Sequence, residues 1–302
     1  MSRIAAELAT AELATARLAT AELATARLAT GVDELIDSAV RQLLGRTIAV
    51  LTGAGVSTDS GIPDYRGEGA PARTPMAFQQ FLTDTEYRKR YWAGSHLGWR
   101  RFTSVAPNAG HRALVDLERA GRVNGILTQN VDGLHRMAGS ACVIELHGTM
   151  NRVGCLHCGQ VFAREDIAKR MENANPWLDT PDDVELAPDG DVAVSQLDGF
   201  VIPVCTNCGG MLKPDVVFFG ELIPSDRFAA ASTVLRGANA LVVAGSSLVV
   251  NSGIRLLDQA VKRRLPIVII NRGATRGDLR ATVKLDAGTS ETLTVLAARL
   301  SI

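Results

Sequence analysis

An apolar run, Thr47-Ile48-Ala49-Val50-Leu51, leads through Thr52 into Gly53-Ala54-Gly55. The run is short and rich in β-branched residues, the pattern of a strand buried on both faces of a parallel sheet. A strand that enters Gly-Ala-Gly predicts a dinucleotide-binding βα turn. Glycine permits the tight turn and leaves no Cβ between backbone and ligand. The N–H groups opening the next helix would then face a pyrophosphate. The third glycine, Gly61, comes later than in the G-x-G-x-x-G fingerprint. Two glycines alone also suit an ordinary turn, but Ile62-Pro63-Asp64-Tyr65-Arg66 sets a φ-locked proline beside an acid, an aromatic and a guanidinium. That composition predicts a stiff loop folded over a ligand.

The rest of the chain repeats the alternation of strand and helix. Helical spacing over residues 32–44 ends at Gly45, and an aromatic-rich stretch, 74–103, reads as a small helical module packed by its own rings. A helix over 111–120 stops at Gly121; strands follow at 123–127 and 143–146, ending at Gln129-Asn130-Val131-Asp132 and at His147. Further strands at 240–244 and 267–270 end at Gly245-Ser246-Ser247 and Asn271, and a helix over 290–300 closes the chain. Ligands of open parallel sheets bind beyond the carboxyl ends of the strands, so these polar strand ends predict one cleft. Taken singly, the serines and the asparagine fit caps and turns equally well. Lys213-Pro214-Asp215-Val216-Val217-Phe218-Phe219-Gly220-Glu221 reads as an extended edge with backbone groups available to a peptide.

Cys155-x-x-Cys158 and Cys205-x-x-Cys208, 46 residues apart, have the spacing of two knuckles around one tetrahedral zinc. Four thiolates close the coordination shell, which predicts a structural metal. Cys142 is left as a core residue. Residues 172–200 carry eight acids and no lysine or arginine. They read as a solvated excursion, with attraction of basic segments the weaker alternative. Residues 5–30 repeat Ala-Glu/Arg-Leu-Ala-Thr with leucines five apart. At roughly 100° per residue such leucines spiral round a helix and form no stripe, so a low-complexity extension is expected in place of a coiled coil. The 302 residues balance 32 basic against 32 acidic groups, so charge points neither to nucleic acid nor to an anionic membrane. No apolar run reaches the roughly 20 residues of a membrane span, and no signal core opens the chain. With paired thiols suited to a reducing compartment, a cytoplasmic location is expected.

GAGVSTDSGIPDYRG, TQNVDGLH, ELHG, the two C-x-x-C pairs, KPDVVFFGE, GSSLVV and IINRG stand in the order seen in sirtuins, the NAD-dependent protein deacylases. The resemblance covers residues 32–300, and Tyr65, the stretch RKRYWAGSHLGWRRF and APDGDV resemble the class II branch. It implies an α/β fold: a Rossmann-like parallel-sheet domain (32–66, 110–150, 214–302), a helical module (67–109) and a zinc-binding module (151–213), after the 1–31 extension.

The resemblance also implies site roles. Gly53, Ala54, Gly55, Thr58 and the loop Ile62, Pro63, Asp64, Tyr65 and Arg66 would hold the NAD pyrophosphate and nicotinamide ribose, with Ile62 also touching the nicotinamide carboxamide. Asn130 and Asp132, with Val131 between them, would position the carboxamide, and Gln129 the ribose. Gly245, Ser246, Ser247, Asn271, Arg272, Gly273 and Thr289 would serve the phosphate and adenosine side. Val217 and Phe218 would pair with an acyl-lysine peptide, His147 would be the general base, with Asn130 beside it at the reacting end, and Cys155, Cys158, Cys205 and Cys208 would hold zinc. His111 and His135 are expected to be structural. Members selective for short diacid acyl groups carry Tyr-x-x-Arg in the helical module. Here the counterpart is Tyr91-x-x-Gly94, while Tyr87-x-x-Arg90 is out of register, which points away from succinyl and malonyl groups. Alternatives are a protein mono-ADP-ribosyltransferase and an NAD-sensing binding module.

Overall fold

The computed structural model describes residues 31–65, 76–178 and 197–301, with the side chains of Arg100 and Arg101 outside that description. The repeat over 5–30, Arg66 and most of the acidic excursion therefore lie outside the described residues.

Six parallel strands form the main sheet: β1 (Ile48–Thr52), β2 (Val123–Thr128), β3 (Val143–Glu145), β7 (Ala240–Ala244), β8 (Ile267–Ile270) and β9 (Val283–Leu285). Their spatial order is β3-β2-β1-β7-β8-β9. Every residue of β1, β7 and β8 is buried, as near-continuous Val, Ile, Leu and Ala runs require when helices cover both faces. One face carries α1 (residues 31–43), α4 (Ala109–Arg119) and α9 (Thr289–Leu300), through residues such as Leu43, Leu114 and Leu293. The other carries α7 (Ser225–Arg236) and α8 (Asn251–Lys262), through Leu235, Leu256 and Ala260. Because β1 lies between β2 and β7, chain progression reverses there, and a crevice opens beyond the carboxyl ends of β1 and β7.

A second, three-stranded antiparallel sheet, β5-β4-β6, is built from β4 (Gly148–Cys155), β5 (Val161–Ala163) and β6 (Leu212–Val216). It packs with α2 (Phe78–Thr83), α3 (Thr85–Thr103) and α6 (Arg164–Ala174) in one apolar cluster containing Phe81, Trp92, Trp99, Val153, Ile167 and Phe218. Arg164 ties the two together. Buried between the Trp92 and Trp99 rings, 5.6 and 5.3 Å away, it donates from Nη2 to the Ser95 carbonyl at 2.9 Å. The helical and cysteine-bearing segments thus share a core that no local pattern announces.

Two expectations need correction. The glycine turn leads into two short 3-10 turns, Ala54–Val56 and Thr58–Ser60, and not into an α-helix. Gly61, at φ 88°, and Pro63 then redirect the chain before a full helix can nucleate. In 213–221 only β6 is a strand; beyond it the Val217 N–H donates to the His147 carbonyl (2.9 Å) and the Phe218 N–H to Glu221 Oε2 (2.9 Å). Those two donors, expected to be available, are taken within the chain. Among the described residues no helix is long and apolar enough to cross a membrane.

Candidate active site

At the switch point two loops touch backbone to backbone. The Gly55 N–H donates to the Gly245 carbonyl at 2.9 Å, and a Cβ at Gly55 would stand 2.9 Å from the Gly245 Cα. A Cβ at Gly53 would stand 2.7 Å from the same carbonyl oxygen. Gly245 itself sits at φ 63°. The glycines of the turn are therefore required first by loop-to-loop packing, a reason the sequence reading did not identify.

A cavity of about 1580 Å³ spreads from this junction. Every expected dinucleotide contact from Gly53 to Thr289 lines it except Pro63, which does not, and Arg66, which lies outside the described residues. Val217, Phe218 and His147 line it as well.

Side chains hold the walls in place. Asn130 Nδ2 donates to the Gly53 carbonyl (3.1 Å) and to Ser57 Oγ (3.2 Å), and Ser57 donates to Asp132 Oδ2 at 2.7 Å. Asp132 Oδ1 accepts from the Leu134 N–H at 2.9 Å. Burial pushes the Asp132 carboxyl upward, and these hydrogen bonds, Ser57 foremost, oppose it. Thr58 and Thr289 both donate to the Gly55 carbonyl, at 3.2 and 3.0 Å. Asn108 caps α4 and donates from Nδ2 to the Val56 carbonyl at 2.8 Å. Sequence reasoning missed Ser57, Asn108 and Ser252. Ser57 stands inside the glycine motif, Asn108 stands where an N-cap precedes a helix, and Ser252 stands in the first turn of one; each was open to notice.

His135 and His111 meet with ring centroids 4.8 Å apart and planes tilted by 55°, and Thr52 Oγ1 lies 2.9 Å from His135 Nε2. Burial holds His111 down to about 4, with Arg112 adding to it, and holds His135 well below the usual histidine range. Neither lines the cavity. His147 differs because it faces the cavity. Its Nε2 lies 2.9 Å from Ser252 Oγ; burial lowers its pKa, and a hydrogen bond with the Gln129 backbone opposes that. A partly buried, neutral imidazole at the edge of a cavity can take a proton.

The end of the cavity lined by Tyr91 and Phe218 is aromatic. Phe218 meets Phe81 and Tyr91 edge-on, with centroids 5.2 and 5.0 Å apart, and Tyr91 lines the cavity. Lys213 Nζ lies over the Phe218 ring at 4.6 Å and pairs with Glu221 at 3.1 Å, which fixes the 213–221 loop. Tyr87 accepts the Ala77 N–H at 3.1 Å and does not line the cavity.

Around the end of β4 and the segment before β6, Cys155, Cys158, Cys205 and Cys208 bring all four Sγ atoms within 4.8 Å of one another. The His157 and Cys158 N–H groups point at Cys155 Sγ (3.4 and 3.5 Å), the arrangement of a turn that stabilises thiolate. Four sulfur donors at this spacing fit a tetrahedral zinc. Cys142, by contrast, is half-buried against Gly125 and apart from the cluster.

The Sir2 family pattern matches residues 53–252. An NAD-dependent protein deacetylase 1 of Mycobacterium avium (strain 104) is 52% identical over 266 residues, covering 87% of this chain and 94% of that one. The NAD-dependent protein lipoamidase sirtuin-4, mitochondrial, of Bos taurus is 44% identical over 261 residues, 84% of this chain and 82% of that one. A solved structure of Sir2 bound to acetylated peptide superposes with a TM-score of 0.70 at 28% identity, over 87% of this chain and 97% of that one. One of Sir2 with p53 peptide and NAD gives 0.66 at 28% identity, over 88% and 95%.

Proposed function

The chain belongs to the Sir2 family, and on that premise we propose that it is an NAD-dependent protein lysine deacylase, giving nicotinamide, a deacylated lysine side chain and O-acyl-ADP-ribose. The observation that carries this reading is the opening of the glycine turn, the Asn130–Asp132 pair and His147 onto one cavity lined at its other end by Val217 and Phe218.

NAD is consumed as a substrate and supplies an activated ribose carbon, where the acyl-lysine amide oxygen displaces nicotinamide. The chain's own groups make that substitution feasible. The loop from Gly53 to Arg66 holds pyrophosphate and nicotinamide ribose, Asn130 and Asp132 hold the carboxamide, and residues 245–247, 271–273 and Thr289 hold the adenosine side. An amide oxygen is a poor nucleophile, so the aromatic wall of Phe218 and Tyr91 must keep the reacting centre dry and close. His147 then accepts a proton from a ribose hydroxyl, which frees that oxygen to take the acyl group. Zinc on the four cysteines supplies structure and no chemistry, its shell being closed by sulfur.

The acyl group we favour is not a short diacid: Tyr91 lines the cavity, its i+3 neighbour is Gly94, and Arg90 is exposed. The relative named as a lipoamidase supports longer acyl chains. The same reading divides the chain into a nucleotide-binding domain (32–66, 110–150, 214–302), a helical module (67–109) and a zinc module (151–213), and assigns it to the cytoplasm on its paired thiols. Nicotinamide release from NAD, measured with acetyl-, succinyl- and lipoyl-lysine peptides, tests the reading. Peptide-dependent release that is strongest for an uncharged acyl group supports it; release without any peptide acceptor, with label passing to protein, would favour ADP-ribosyl transfer.

A further inference from the structure

His147 is not alone in the cavity. Ser252, the second residue of α8, is 3% exposed, and its Oγ lies 2.9 Å from His147 Nε2. Gln129 Nε2 donates to the same Oγ at 3.2 Å. Gln129 Oε1 in turn accepts from Ser246 Oγ at 2.6 Å, and Ser246 Oγ accepts from the Leu248 N–H at 3.2 Å.

The directions of these bonds can be assigned. An amide nitrogen only donates, so Ser252 Oγ accepts from Gln129. The serine has a single proton left to give, and His147 Nε2 is the acceptor within reach. The first turn of a helix is its positive end, which disfavours an imidazolium facing it. Burial works in the same direction on this ring. The chain of bonds therefore runs one way: Ser246 to Gln129, Gln129 to Ser252, Ser252 to His147. It leaves Nε2 as a proton acceptor and puts a hydroxyl, not open space, directly in front of it.

We propose that Ser252 relays the proton between the ribose hydroxyl of the dinucleotide and His147, an inference that rests on the deacylase reading above. The ribose O–H bond breaks as its proton passes to Ser252 Oγ, and the serine's own O–H bond breaks as that proton passes to Nε2. The products are a ribose alkoxide, a neutral serine and an imidazolium, so proton and charge balance. The alkoxide carries the electron pair into the acyl carbon. Gln129 occupies one acceptor site of the Ser252 hydroxyl, and the second lone pair is open to the ribose hydroxyl.

The test compares wild type, Ser252→Ala and Ser252→Thr in the full chain. Two reactions are followed with NAD and an acetyl-lysine peptide: exchange of labelled nicotinamide into NAD, which precedes the relay, and formation of O-acyl-ADP-ribose, which follows it. The relay predicts that Ser252→Ala keeps exchange near wild type and loses about 100-fold in product formation. Ser252→Thr, which keeps the hydroxyl, recovers most of that loss. In the ligand-free protein, the ¹⁵N resonance of His147 Nε2 moves on Ser252→Ala and stays in Ser252→Thr. Product formation within twofold of wild type in Ser252→Ala would overturn the relay. So would equal loss of exchange and product, because that marks a structural role, and so would an unmoved ¹⁵N resonance. Absence of nicotinamide release from the wild type would instead bring down the deacylase reading itself.

Discussion

Two histidines of one protein, buried His135 and partly buried His147, sit in different surroundings. His135 has Thr52 and a second imidazole about it, no opening to the cavity, and a pKa forced down by burial. His147 has a hydroxyl in front of it and the cavity beyond. His147→Ala should therefore abolish deacylation while NAD still binds, as titration calorimetry with NAD would register; near wild-type turnover would remove the base from the scheme. Because burial lowers the His147 pKa from 6.5, its neutral form persists in mild acid. The acid limb of kcat should lie below pH 6.5 and not above it. The pair of His111 and His135 carries a different pH signature. His111 is held near 4 in the folded chain against 6.5 in the unfolded one, so unfolding takes up a proton between those values. Stability from this group is complete above about pH 6.5 and is lost as pH falls toward 4, on the order of 3 kcal/mol in all, and His135 acts in the same direction. Urea midpoints at pH 7 and pH 5 should differ accordingly, and a flat profile would contradict the assignment. Residue chemistry of this kind was half legible: His147 beside a glycine at a strand end was readable, whereas the Ser252 contact joins residues 105 apart in sequence.

Elements were read best where the signal was continuous. Strands β7 and β8 fall on the residues their apolar runs mark, each bounded by a polar or glycine strand end. Strand β9 is three residues long, Val-Lys-Leu, and earns its place only by pairing with β8, which local pattern does not reveal. Helix α7 was missed although Pro224 precedes it and Gly237 ends it. The glycine turn illustrates the reverse case, a motif read correctly whose physical reason was incomplete. Gly55→Ala brings a methyl to 2.9 Å from backbone of the β7 loop, atoms with nowhere to rotate. It should cost about 1–3 kcal/mol and loosen NAD binding. Thermal melts with and without NAD would show both effects; a variant as stable as wild type would mean that the two loops are not packed as described.

At the scale of the molecule, the cysteine cluster and the helical segments stand or fall together because they share one apolar core. Cys155→Ala should lose the metal and unsettle the Tyr91 and Phe218 end of the cavity as well as its own knuckle, since zinc binding in such a module is folding free energy. Metal analysis of the wild type should find one zinc per chain, and a protein that is fully stable and active without metal would refute that coupling. The division into segments could be read from the order of motifs, but the merging of two of them could not: Arg164 meets Ser95 across 69 positions, and only the folded chain brings them together. The most direct test of the whole account is the mass of what forms when the protein, NAD and an acyl-lysine peptide are mixed. The account predicts nicotinamide, deacylated peptide and O-acyl-ADP-ribose in equal amounts. Free carboxylic acid with intact NAD, or ADP-ribose attached to protein in place of the acylated nucleotide, would contradict it.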